Sequence, residues 1–154
     1  MEAQVTWTTS LNFTGKADSG FELNLSGAQE GFRPLELLAI GLVGCTGMDV
    51  ISILEKKRQV VTDFTVKVHI DRASDHPKVF TRARIDYRVA GHNIQEEAVR
   101  RSIELSATRY CSASAMFEQV FPIELAYSIF EDHGEGREEL VASGILTPQE
   151  EAAE

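Results

Sequence analysis

The stretch GFRPLELLAIGLVGCTGMDV, residues 31–50, constrains the fold more than any other part of the chain. Pro34 stands where a first helical residue is favoured, Glu36 places a carboxylate in the first turn, and the run Glu55-Lys56-Lys57-Arg58 supplies a cationic end. These signals predict one helix from Pro34 to about Lys57. Apolar residues such as Leu35, Leu38, Ile40, Leu42, Val50 and Leu54 nearly circle it, so it must be wrapped on most sides. Gly41, Gly44 and Gly47 drift slowly along one face. Each costs about 1 kcal/mol relative to alanine inside a helix, which close approach of another backbone would offset. A second helix is expected to cross there.

A chain of 154 residues can bury roughly two thirds of its unfolded surface, so a single domain needs no disulfide or metal to complete a core. The net charge of −9 argues against a nucleic-acid or anionic-membrane partner, because binding phosphates needs a basic surface. No run reaches the roughly eighteen uninterrupted apolar residues of a membrane span, and MEAQVTWTTS lacks the basic and apolar regions of a signal peptide. A cytoplasmic protein is expected.

Before the helix, QVTWTTS, LNFTGKA and FELNLS carry β-formers and are separated by turn residues, which predicts an antiparallel meander. After it, DFTVKVHI sets Phe64, Val66, Val68 and Ile70 on one face. VFTRARIDYRV does the same with Val79, Ala83, Ile85, Tyr87 and Val89, against a face of Arg82, Arg84, Asp86 and Arg88. The loop between them has hairpin length. HNIQEEAVRRSIELSATRY reads as a second helix, capped by Asn93 with Glu96 three residues on, and bending or stopping near Tyr110. A short helix after Cys111 and a last strand, PIELAYSIFE, complete the order βββ-α-ββ-α-β. The class is α+β, with one domain over residues 1–133. Residues 134–154 form an acidic tail or short helical appendage without assigned chemistry.

The two cysteines, Cys45 and Cys111, match no sequence-local zinc pattern, and a permanent bridge is not expected in a reducing compartment. Cys45 reads either as a small core residue or as a reactive thiol. Asp49, one turn on, would oppose a thiolate there, so activation needs a cation from elsewhere. Cys111 has Arg109 beside it and a helix N-terminus after it, both favouring a thiolate, or it fills space between helix and sheet.

Taken together, the PLELL opening, GCTGMDV in a long apolar helix, a hairpin of two long strands, and a helix leading to YCSASAM before a strand have a familiar arrangement. Over residues 5 to about 131 the chain resembles the osmotically inducible protein C and organic hydroperoxide resistance family (OsmC/Ohr), in its OsmC-like branch. The resemblance implies an intertwined homodimer with two central helices packed back to back between sheets. It implies a thiol-dependent peroxidase acting on organic hydroperoxides in stress defence, with Cys45 as peroxidatic and Cys111 as resolving cysteine. An external dithiol, of lipoyl type in family members, would restore both thiols, and no metal or bound organic cofactor is implied.

Family peroxidases also use an arginine from the N-terminal strand region, held by a glutamate near the start of the cysteine helix. Here residues 1–32 hold no arginine, leaving Lys16 and Arg33 as candidates, and a lysine lacks the planar guanidinium fork. The family places its glutamate ten residues before the cysteine, where this chain has Leu35. Glu36 is nine before, on the opposite side of a regular helix from Cys45. These departures keep open a rival reading, a dimer of weak peroxidase activity that binds a small apolar ligand. A metal site from Cys45, Asp49 and Cys111 is disfavoured by three mixed ligands without a histidine. His69, His76, His92 and His133 read as solvated surface.

Overall fold

The computed structural model describes residues 1–28 and 30–146, and these fall into two compact units, one ending at Gly41 and one starting at Leu42. The strands before the long helix pair with one another, and β3 also bonds to Phe32 just ahead of the helix.

In the first unit β1 (Ala3–Thr9), β2 (Asn12–Ala17) and β3 (Glu22–Ser26) form the expected antiparallel meander, in the order β1-β2-β3. Gly20 takes φ +79° in the turn before β3, a conformation that costs a glycine least. Helix α1 (Pro34–Lys56) starts in this unit and continues into the next. The Arg33 backbone N–H donates to the Glu36 carboxylate at 2.9 Å, so Glu36 acts as the reciprocal half of a capping box.

In the second unit α1 buries Leu42, Thr46, Val50 and Leu54, a stripe repeating every four residues, together with Gly47. A Cβ added at Gly47 would meet Val66 Cγ2 at 3.4 Å, so a strand, not a helix, packs there. The other side differs. Met48 is 75% exposed and a Cβ added at Gly44 would meet nothing within 4 Å. Among the described residues no second helix crosses the glycines, and α1 is wrapped on one side only. By length and composition α1 could cross a membrane, with mean hydropathy 2.1 over eighteen residues, which a count of uninterrupted apolar residues misses. Of that stretch 28% is buried, on the face that carries the four-residue stripe.

The second sheet has the order β4 (Val60–Arg72), β5 (Phe80–His92), β6 (Ile123–Asp132), β7 (Glu138–Leu146). β4 and β5 form the antiparallel hairpin, and β6 lies parallel to β5, reached through α2 (Glu96–Leu105), a π-helical turn (Ser106–Tyr110) and α3 (Ser112–Phe117). The alternation predicted for the strands is realised: Ala83, Ile85, Tyr87 and Val89 of β5 and Ile123, Leu125, Tyr127 and Ile129 of β6 are all buried. Val79 is not among them; it lies before β5 and is exposed. The opposite face is charged. Arg82 and Arg84 each reach Glu124 at 3.1 Å, and Arg88 pairs with Asp63 and Glu138. Such exposed pairs contribute about 1 kcal/mol or less each.

Two expectations are corrected. Within the tail, residues 138–146 form a strand and not a helix, since β7 pairs antiparallel with β6 and PIELAYSIFE is not the last strand. A Cβ at Gly144 would stand 2.7 Å from the Tyr127 hydroxyl oxygen, so the glycine is what lets β7 approach. Residues 147–154 of the tail lie outside the described residues. Asn93 does not cap α2 either. It has φ +51° at the turn out of β5, donates its N–H to Glu131, and leaves Gln95 as the N-cap.

Candidate active site

Cys45 lies half-buried in the middle of α1, and Asp49 follows it by four residues on the same face. Cys111 is the N-cap of α3 and is 2% exposed. Its backbone N–H closes the π-helical turn on the Ser106 carbonyl at 2.8 Å, and its Sγ accepts the Ser114 N–H at 3.3 Å. The two sulfurs and a carboxylate oxygen of Asp49 all lie within 4.8 Å of one another. Both thiols are free. Two cysteines 66 positions apart in sequence thus meet beside a carboxylate.

A buried chain of hydroxyls ends on that carboxylate. Tyr87 Oη lies 2.6 Å from Thr46 Oγ1, Thr46 Oγ1 lies 2.9 Å from Ser106 Oγ, and Ser106 donates to Asp49 Oδ2 at 3.1 Å. Each hydroxyl has one proton and the carboxylate has none to give. Ser106 has spent its proton on Asp49, so Thr46 donates to Ser106 and Tyr87 to Thr46. Burial pushes the Tyr87 phenol well above its usual range, partly opposed by the Thr46 contact, which keeps it a donor.

Burial also raises the Cys111 thiol, the bonds from Ser114 oppose this, and the neighbouring Cys45 adds to the rise. The expectation that a helix start and Arg109 would favour a Cys111 thiolate is therefore reversed. Arg109 is exposed, with its guanidinium carbon 5.6 Å from the Tyr110 ring centroid. Among the described residues no cation pairs with Asp49.

Of the residues predicted for the site, the structure brings Cys45 and Cys111 together. Lys16, Arg33 and Glu36 belong to the first unit and make local contacts there. Lys16 reaches Glu22 at 3.5 Å, and Glu36 caps the helix through the Arg33 backbone. All four histidines are exposed, as expected. One ion could reach Cys45, Asp49 and Cys111, but a closed zinc site takes four protein ligands, and this group has three and no histidine. Thr46, Tyr87 and Ser106 were not singled out by sequence. Their signal was a hydroxyl or phenol on a core-facing position, where a buried polar group must find a partner.

Proteins described as OsmC-like match residues 27–126 of the chain. Protein YhfA of Escherichia coli K12 is 34% identical over 131 residues, covering 84% of this chain and 98% of its own. The crystal structure of a hypothetical protein from Aquifex aeolicus VF5 is 28% identical with a TM-score of 0.78, covering 86% of this chain and 97% of that one. An organic hydroperoxide resistance protein from Elizabethkingia anophelis has a TM-score of 0.60 at 15% identity, covering 84% and 94%, a likeness of fold alone.

Proposed function

The chain belongs to the OsmC-like protein family, and from that premise we propose that it is a thiol-dependent peroxidase acting on organic hydroperoxides. The observation that carries this reading is the meeting of the Cys45 and Cys111 sulfurs from distant parts of the chain. Cys45 is assigned the peroxidatic role because it is the more accessible thiol, whereas Cys111 is buried and its thiol is raised by that burial. The Cys45 thiolate attacks the peroxide oxygen, the O–O bond breaks, and an alcohol leaves with Cys45 as a sulfenic acid. Cys111 condenses with it to a disulfide, and an external dithiol of lipoyl type returns both thiols.

The uncovered side of α1 in the second unit, with Gly44 and Met48, supports a homodimer in which a second copy packs there. In such a dimer, Arg33 or Lys16 of the second copy is the cation assigned to the Cys45 thiolate. A stoichiometric organic hydroperoxide is expected to consume both thiols and to leave an intramolecular disulfide detectable by mass spectrometry. Equal reactivity of Cys45→Ser and the parent would sink the assignment.

The anionic setting of the thiols favours a second reading, a dimer of weak peroxidase activity that binds a small apolar ligand. It predicts thiols untouched by hydroperoxide and a ligand that raises Tm.

A further inference from the structure

We propose that Asp49 is the proton-transfer group for the resolving cysteine, held in place by the hydroxyl chain Ser106–Thr46–Tyr87. The proposal rests on the peroxidase reading only for the origin of the sulfenic acid. Among the described residues Asp49 is the one carboxylate grouped with both sulfurs, all three ligand atoms lying within 4.8 Å, a separation that one intervening water spans.

The hydroxyl chain is an unusual investment for a carboxylate that does nothing. Thr46 and Ser106 are 0% exposed and Tyr87 is 1% exposed, and each spends its proton in the direction of Asp49. Among the described residues no side-chain N or O is buried without a partner, and Asp49 is where the last proton of this chain goes. The Ser106 bond fixes one oxygen of that carboxylate toward the chain.

Cys111 needs an acceptor. Burial opposes loss of its proton into solvent. Among the described residues, the charged and titratable groups that act most on Tyr87 and Cys111 are Cys45, Asp49 and Glu118, with no cation among them. Transfer to Asp49 as the sulfur attacks avoids forming a free thiolate. The Cys111 S–H bond and the Cys45 S–O bond break, and the S–S bond forms. The proton passes to Asp49 and then to the departing hydroxide, which leaves as water. Cys111 sulfur is oxidised, Cys45 sulfur is reduced, and Asp49 ends as it began. The hydroperoxide that made the sulfenic acid is the only oxidant required.

The test mixes the full chain with one equivalent of cumene hydroperoxide and follows two phases, peroxide loss and then disulfide formation. Asp49→Asn is expected to slow the second phase about 100-fold, far more than it changes the first. Between pH 6 and 8 the parent's second phase should vary little. That of Asp49→Asn should rise about tenfold per pH unit, because only thiolate made by solvent reacts. Asp49→Glu should recover much of the rate, and Ser106→Ala, which removes the positioning bond, should fall between parent and Asn. Should Asp49→Asn fail to fold, Ser106→Ala gives the same comparison. Second phases alike in rate and pH profile for parent, Asn and Ala variants would overturn the proposal.

A separate arm uses 4,4′-dithiodipyridine, where Cys45 releases one thiopyridone and attack by Cys111 releases the second. If hydroperoxide leaves the parent untouched while Asp49→Asn still slows the second release, the peroxidase reading fails and the role of Asp49 stands.

Discussion

The two sheets are built on the same alternating pattern and come to opposite ends. In β5 and β6 the inward residues Ile85, Val89, Leu125 and Ile129 are at most 5% exposed, under α1 and α2. In the meander β1–β3, Val5 and Trp7 are 60% and 63% exposed and Leu23 is 37% exposed. Alternation fixes which side chains share a face; only a covering layer turns that face into a core. The difference locates most of the chain's own stability in the second unit and leaves an apolar surface in the first.

The largest expected effect tests that division. Ile85→Ala, from a position 0% exposed, should cost about 2–5 kcal/mol in chemical denaturation, whereas Trp7→Ala should change the unfolding of the single chain by less than about 0.5 kcal/mol. A large loss for Trp7→Ala that also depends on protein concentration would mean that a second copy supplies the meander's cover.

Glycines sharpen the same contrast. Gly144→Ala forces a Cβ against the Tyr127 hydroxyl and should cost about 1–3 kcal/mol, whereas Gly44→Ala meets nothing and should raise helix stability by up to about 1 kcal/mol. Thermal unfolding of the two variants reads the difference. If Gly44→Ala destabilises instead, with loss of dimer in sedimentation, another backbone packs on that face.

The smallest effect comes from pH and acts on the covered unit. The Cys111 thiol is raised in the folded state, so the folded chain holds its proton where the unfolded chain releases it. Its contribution is fully present below the unfolded value of about 8.5 and is lost as pH rises towards the higher folded value. Stability should therefore fall above about pH 8.5 by at most about 1.4 kcal/mol per unit from this group, and Cys111→Ala should flatten that fall.

Much of this was legible in the residues. Pro34, Glu36 and the basic end bounded α1 to within a residue, and period-two patterns placed β4, β5 and β6 with their faces. β7 was missed because EELVASGIL is acidic, and the signal for its pairing, Gly144 opposite Tyr127, exists only once the strands are aligned. The Asn93 cap failed because its left-handed turn belongs to the exit from β5.

By itself the sequence determined the order of the elements up to β6, the faces of the long strands and the two cysteines as the candidate chemistry, because these depend on local period, end signals and residue type. Only the tertiary structure decided that Cys45, Asp49 and Cys111 converge and that a line of hydroxyls from β5 and the π-helical turn ends there. It also decided that Cys111 is buried, which raises its thiol. Those facts depend on burial and on distances between residues far apart in the chain, which no local pattern encodes.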